Sequence, residues 1–210
     1  LDALELHEGA GYFFGLMLGD GWVAHEGDRP VGVCVSTVYP DIQAAWTAML
    51  GCFFGEPQHV TRVDHTPGGK FDGSEGSTTL RVNNAQFARW MVPLVGRGAG
   101  HKHVPPFTWR APKEFVLGLL AGLWDTDGSM AWSNAKAKPQ FLCNLTSTSL
   151  RLIQEVQSLL RMLGVSSKIT ASISKTGTPY WLLNVSTVEF FDLGGLPVLH
   201  PHRTAAQKRF

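Results

Sequence analysis

A chain of 210 residues with 44% hydrophobic and 17% charged side chains is long enough for one compact domain or two small ones and too apolar to be disordered, and Gly, Pro and Ser break every apolar run before it could span a bilayer. Its 18 basic and 17 acidic side chains leave a net charge of +1, which is less basic than a chain that neutralises many phosphates commonly is. The charge is uneven, with 7 basic and 11 acidic groups in residues 1–104 against 11 and 6 in residues 105–210, so composition alone names no partner. Cys34, Cys52 and Cys143 lie far apart with no Cys-x-x-Cys pair, which argues against a disulfide framework or a Cys-rich zinc site and points to a reducing, intracellular (cytoplasmic) setting. The chain opens at Leu1 without a charged-then-apolar leader, which suggests an excised domain rather than a secreted one.

Taken in order, the first element is an apolar run that ends Phe13-Phe14-Gly15-Leu16-Met17-Leu18-Gly19-Asp20-Gly21. It is matched without gaps, 107 residues on, by Leu120-Ala121-Gly122-Leu123-Trp124-Asp125-Thr126-Asp127-Gly128. The segments after the two runs repeat as well. Val31, Val33 and Val35 alternate with smaller or polar residues, as do Phe141, Cys143 and Leu145, which is the period of a half-buried strand. Helical spacing comes next, over 41–54 and 149–163. Alternation then returns. Thr79, Arg81 and Asn83 face away from Leu80 and Val82, and Lys168, Thr170, Ser172 and Ser174 face away from Ile169, Ala171 and Ile173. A helical piece closes each half near 84–95 and 187–193. Gly- and Pro-rich residues 92–109 read as the linker, which sets a first module at 1–96, a linker at 97–112 and a second module at 113–210. The expected fold is α+β, helix–strand–strand–helix–strand–strand–helix twice over. Each sheet has an apolar face for its helices and a polar face for a wet or charged partner, plain solvent being the alternative.

Both runs end in Asp-Gly, and Gly21 and Gly128 are expected to supply the left-handed residue that stops a helix. An aspartate in a last helical turn works against the partial negative charge there, at a cost of some tenths to about 1 kcal/mol. Its presence at matched positions in both halves suggests that Asp20 and Asp127 serve a function that needs negative charge. Gly15 with Gly19, and Gly118 with Gly122 and Thr126, put small residues one turn apart on a single face, so the two helices are expected to pack side by side with their acidic ends together. Two carboxylates joined there by helix-end carbonyls, those of Gly19 and Thr126, form an oxygen-rich site suited to a hard divalent cation. Mg²⁺ is the preferred occupant, with Mn²⁺ or Ca²⁺ able to substitute in binding. Turn formation alone is the other reading of each Asp-Gly pair.

The two runs resemble the LAGLIDADG motif, the second departing from it at two of nine positions. Two copies about 100 residues apart resemble a monomeric, two-repeat LAGLIDADG homing endonuclease. The resemblance implies two pseudo-symmetric αββαββα modules with the motif helices at their interface and the sheets forming a saddle over double-stranded DNA. It also implies metal-dependent hydrolysis of both strands at a long, asymmetric site. Arg62, Arg81, Asn83, Asn144, Lys168, Ser172 and Asn184 are then candidate DNA contacts. Lys102-His103-Val104-Pro105 is similar to the Lys-x-x-Pro segment of intein-encoded members, which makes Lys102 a candidate catalytic lysine beside Asp20 and Asp127. The tail Gln207-Lys208-Arg209-Phe210 resembles the segment that supplies a second one, Lys208. No Cys or Ser opens the chain and no His-Asn closes it, so this segment is not expected to splice by itself. Leu18 stands where the motif has its first acid. A catalytically inactive DNA-binding module or an RNA-splicing maturase is the alternative, since fold alone does not prove activity.

Other patterns carry less. Gly68-Gly69-Lys70-Phe71 lacks the spacing of a phosphate loop and reads as a mobile hairpin loop. His101 with His103, and His200 with His202, read as surface residues rather than metal ligands. Trp22 and Trp132 read as core packing, with DNA contact as the alternative. There is no Gly-x-Ser-x-Gly elbow.

Overall fold

The computed structural model describes residues 4–65, 76–133 and 139–209; the loop expected around Gly68-Gly69-Lys70-Phe71 lies outside them. The first half runs α1 (Glu8–Leu18), β1 (Gly21–Glu26), β2 (Arg29–Thr37), α2 (Pro40–Phe54), β3 (Val60–His65), β4 (Ser77–Val82) and α3 (Ala85–Val95). The second runs α4 (Lys113–Asp127), β5 (Gly128–Trp132), β6 (Phe141–Ser147), α5 (Leu150–Met162), β7 (Ser167–Ile173), β8 (Pro179–Val185) and α6 (Thr187–Asp192). This is the expected αββαββα order twice over, in an α+β fold, with one unexpected addition, a closing helix α7 (Pro201–Lys208). No described helix is long and apolar enough to cross a membrane.

Each half folds its strands into a four-stranded antiparallel sheet, ordered β1-β2-β4-β3 and β5-β6-β8-β7. Side-chain caps begin α3 and α5: Asn84 Oδ1 accepts from the Phe87 amide (3.0 Å) and Ser149 Oγ from the Leu152 amide (3.2 Å). Between the halves α3 continues to Val95 with Pro93 in its last turn, and two short 3-10 turns, Ala99–His101 and Pro106–Arg110, lead into α4.

The motif helices α1 and α4 form the centre of one continuous core and are buried almost all round. Their approach is set by glycine. A Cβ on Gly11 would overlap the Phe115 carbonyl oxygen and one on Gly118 that of Glu8; Gly15 faces the Leu119 carbonyl in the same way and Gly122 that of Tyr12. Each pair becomes the other under the 107-residue offset, so the helices cross about a local two-fold axis with Cα hydrogens against carbonyls. Around this axis the cores differ. Phe13 stacks on Trp46 (5.9 Å between ring centroids) and meets Phe53 edge-on (4.9 Å), whereas α5 presents Leu152, Ile153, Val156, Leu159 and Leu160. A fully buried side chain of this size contributes about 1.5–3 kcal/mol.

Gly21 and Gly128 do not adopt the left-handed conformation expected of them, and neither is among the positive-φ glycines. The chain passes from helix to strand directly at Gly128 and after the two turn residues Gly19 and Asp20 at Gly21, and in both places it folds back on the preceding helical turn. A Cβ on Gly21 would lie 2.5 Å from the Met17 Cα, and one on Gly128 2.6 Å from that of Trp124. Space, not backbone twist, selects glycine there.

Gly122→Ala is therefore expected to destabilise the chain by about 1–3 kcal/mol or more, the range for forced overpacking. Gly51→Ala, in α2 where a Cβ meets nothing closer than 3.9 Å, is expected to be neutral or stabilising by up to about 1 kcal/mol. Denaturant unfolding of the two variants measures the difference, and equal effects would remove the helix contact from its central place.

Candidate active site

Glycine packing carries through to the ends of α1 and α4. At Gly19 a Cβ would overlap Thr126 Oγ1, so the residues that precede the two aspartates touch and the acids emerge side by side. They border a cleft of about 440 Å³ lined also by Gly19, Ala99, Lys102, residues 146–148 and Tyr180. Burial, followed by the charge of Asp20, pushes the Asp127 carboxyl up to about 6, with Lys102 and Arg203 opposing. Desolvation by the surrounding protein raises Asp20 too, again opposed by Lys102 and Arg203. Lys102 is lowered by its own burial, and both carboxylates oppose this. Among the described residues no group of three or more His, Cys, Asp or Glu side chains converges as a metal site. Two mutually repelling carboxylates with carbonyls beside them form an oxygen-only set, which fits a hard cation that keeps most of its waters or completes its shell with substrate phosphate.

Lys102 reaches the site from the connecting segment. Its Nζ donates to the Gly19 carbonyl. Ser149 Oγ donates to the Lys102 carbonyl (2.6 Å) and the Val104 amide donates to Glu155 Oε2 (2.7 Å), so α5 of the second half holds in place the lysine that serves the first motif.

Asp125, the first acid of the second motif, faces away from the cleft and is 4% exposed. It accepts from Tyr12 Oη on α1 (2.7 Å) and from the Leu199 (2.6 Å) and His200 (3.1 Å) amides. Burial raises its carboxyl, and these hydrogen bonds with the nearby Arg203 charge oppose the rise. Its counterpart Leu18 is fully buried. Arg203 on α7 donates to the carbonyls of Asp125 (2.7 Å), Thr126 (3.3 Å) and Gly128 (2.6 Å). Lys208 lies exposed near the end of α7 and is not among the charges acting on Asp20 or Asp127. Nothing in the motif reading pointed to Arg203.

Strand register sorts the expected DNA contacts. Asn144, Asn184 and Lys168 fall in one cross-strand row with Ser129, and Ser172 lies on the same face two rows along, opposite Tyr180. The equivalent row of the first sheet is Trp22, Cys34, Arg81 and Thr61, on a concave face of about 860 Å³ that Asn83, His65 and Arg29 also line. Arg62 is not brought to this face. It pairs with Leu80, whose side chain is buried on the helix side, and its guanidinium is 3.4 Å from Asp64. Trp22 corrects the core assignment, since it is 42% exposed on the groove face. Trp132 fits it, packed on Phe141 with Nε1 donating to the Ala206 carbonyl. His200 is half-buried against Tyr39, 4.2 Å between centroids, rather than free at the surface.

Two glycine-packed helices, one ending in an acid and the other followed by one two residues on, each backed by a four-stranded sheet, define a two-repeat αββαββα protein. Comparison with known proteins gives this arrangement its name. Residues 114–192 match the LAGLIDADG-like domain. The structure of the homing endonuclease I-DmoI in complex with DNA and Ca superposes with a TM-score of 0.63, covering 98% of this chain and 100% of that one at 16% identity. The chain thus has the two-repeat LAGLIDADG homing-endonuclease fold. In sequence it is 30% identical over 181 residues to the ATP-dependent DNA helicase Hel308 of Thermococcus kodakarensis, covering 82% of this chain and 15% of the helicase. It is 34% identical over 82 residues to a DNA polymerase of Thermococcus hydrothermalis, covering 39% of this chain and 5% of the polymerase. The chain therefore spans a small share of the curated relatives it matches.

The raised Asp127 carboxyl makes stability depend on pH. It titrates near 3.8 when unfolded and near 6 when folded, so the folded state incurs no penalty below about pH 4 and a growing one as pH rises through 6. Without divalent cation, Asp127→Asn is expected to be more stable than the parent by about 1–2 kcal/mol near neutral pH, and the gap should close towards pH 4. Parallel melting curves for the two proteins across that window would contradict the electrostatic account.

Proposed function

We propose that the chain is a site-specific homing endonuclease, the endonuclease domain of an intein, which binds a long asymmetric DNA duplex as a monomer and makes a double-strand break with Mg²⁺. The observation that carries this reading is the pairing of Asp20 and Asp127, each costly at or just past a helix C-terminus, in one cleft. A helicase and a polymerase do different chemistry, yet each holds a segment similar to this chain within a much longer sequence. A mobile inserted element accounts for that distribution. A second copy of the chain is not needed, because both acids come from one polypeptide.

Asp20 and Asp127 would hold the cation, with the Gly19 and Thr126 carbonyls beside them, each oxygen having a lone pair beyond the one it already shares. When bound, a divalent cation lowers the pKa of a water and takes up charge on phosphate oxygens. The chain does the rest. Lys102, held between the two halves, places positive charge where the scissile phosphate becomes more negative. Arg81, Asn83, Asn144, Lys168, Ser172 and Asn184 fix the duplex through bases and phosphates. Lys208 would contribute only charge from the rim.

Duplexes selected from a randomised library by binding in Ca²⁺ provide the substrate. Adding Mg²⁺ is expected to cut both strands at one position. Asp20→Asn and Asp127→Asn should each lower cutting by at least about 100-fold and leave binding intact; wild-type cutting by either variant would defeat the assignment. The near-neutral charge and the looser first motif favour the other reading, an inactive binder or maturase. Binding without cutting, or preference for structured RNA, would select it.

Lys168→Ala is expected to weaken binding similarly for all sequences and to reduce the salt slope of log K by about one. Titrations at several salt concentrations measure this, and an unchanged slope would remove Lys168 from the phosphate contacts.

A further inference from the structure

We propose that Arg203, and not Lys208, is the second-half counterpart of Lys102, a positioning residue that locks the end of α4 so that Asp127 is presented to the cleft. The proposal rests on reading Asp20 and Asp127 as the nuclease centre. Under the 107-residue offset Gly19 corresponds to Thr126. The Gly19 carbonyl accepts from Lys102 Nζ and the Thr126 carbonyl from Arg203 Nη2. Each cation is supplied by the segment that comes after the last helix of its own αββαββα unit, Lys102 after α3 and Arg203 after α6. In both halves, therefore, the carbonyl just before the site acid is bonded to a cation from the segment that follows that half's last helix, although the strict 107-residue offset would pair Lys102 with Arg209.

Arg203 makes more of this position than a lysine could. Its planar fork reaches the carbonyls of residues 125, 126 and 128, which bracket Asp127 on both sides. The carbonyls of 125 and 126 are helix-end acceptors that have no intrahelical partner of their own, that of 128 opens β5, and three acceptors spread over two nitrogens match a guanidinium rather than a point charge. The fork is itself held. Its side chain is 12% exposed and stands 3.9 Å from the fully buried Asp125 carboxylate. That carboxylate ties down the amides of Leu199 and His200 at the entry to α7 and accepts the Tyr12 hydroxyl of α1. Arg203 thus connects the second acid to the first motif helix through Asp125 and Tyr12.

The test uses the full chain with the substitutions Arg203→Lys, which keeps the charge but loses the fork, and Lys208→Ala. Three quantities are measured: the single-turnover cutting rate in Mg²⁺ on the selected duplex, the Kd for that duplex in EDTA, and amide hydrogen exchange at residues 126–128 without metal. Arg203→Lys is expected to slow cutting about 10-fold or more, as loss of a residue that orients a ligand does. Its Kd should stay within about threefold of the parent, and exchange at residues 126–128 should speed up about 10-fold with the rest of the chain unchanged. Lys208→Ala is expected to leave exchange at residues 126–128 at the parental level and to slow cutting less than Arg203→Lys does. Parental exchange at residues 126–128 in Arg203→Lys would overturn the proposal, as would a larger rate loss in Lys208→Ala, or a loss of rate, affinity and exchange protection throughout the chain together. If the parent binds the duplex but never cuts it, the nuclease reading fails, and the exchange measurement still decides whether Arg203 holds the end of α4.

Discussion

The rest of the molecule depends on how closely α1 and α4 approach. Where ordinary side chains would hold two helices about 8–10 Å apart, glycines at 11, 15, 118 and 122 let each backbone press on the carbonyls of the other. The offset between contacts is the offset between motifs, so the contact fixes both separation and register. Register then determines where the helices end relative to each other, and Gly19 against Thr126 is the last contact before the acids. A longer separation or a slip of one turn would leave two isolated surface aspartates.

That arrangement concentrates charge of the wrong sign. Two helix C-termini bring partial negative charge to the same point and two carboxylates add to it. The described structure answers with two cations from outside the motifs, Lys102 on the Gly19 carbonyl and Arg203 on the Thr126 carbonyl. The compensation is partial, because Asp127 still lies well above the usual carboxylate range. On the proposed reading the remaining deficit of positive charge suits a further cation, and the lining of the cleft sets its kind: oxygen donors, with no thiolate and no converging imidazoles among the described residues.

Much of this was legible in the residues. The repeat, the strand alternation and the matched Asp-Gly ends require only local pattern, and together they give the element order, the central helix pair and the acid pair. The features that escaped a reading of the residues needed tertiary facts. Helix α7 has no buried residue; polar bonds hold it, among them Arg203 to three carbonyls and Gln207 to both backbone groups of Leu196, and such bonds leave no apolar period to read. Arg62 is a candidate groove contact by resemblance alone; β3 has no fully buried position to mark its inner face, and only pairing with Leu80 across the sheet reveals that Arg62 lies on it. Trp22 and Trp132 look equivalent near their motifs, yet the 107-residue offset maps Trp22 onto Ser129 and Trp132 onto His25, on opposite faces. The glycines after the acids are expected from the pattern for a backbone twist they do not have; what requires them is the lack of room for a Cβ against the preceding turn.

The two-fold axis that governs the centre is abandoned at the faces. Counting outwards from the motifs, equivalent rows read Trp22, Cys34, Arg81, Thr61 in one sheet and Ser129, Asn144, Asn184, Lys168 in the other. The first offers a large aromatic ring and a forked donor, the second two amides and a point charge. Amides and guanidinium read different base edges. If the faces meet a duplex as proposed, a molecule with a symmetric core and such unlike rows recognises half-sites that differ in sequence. Fusing two repeats into one chain is what makes this possible, because a homodimer must present the same row twice, whereas here each row is free to change while the glycine contact that unites them stays fixed.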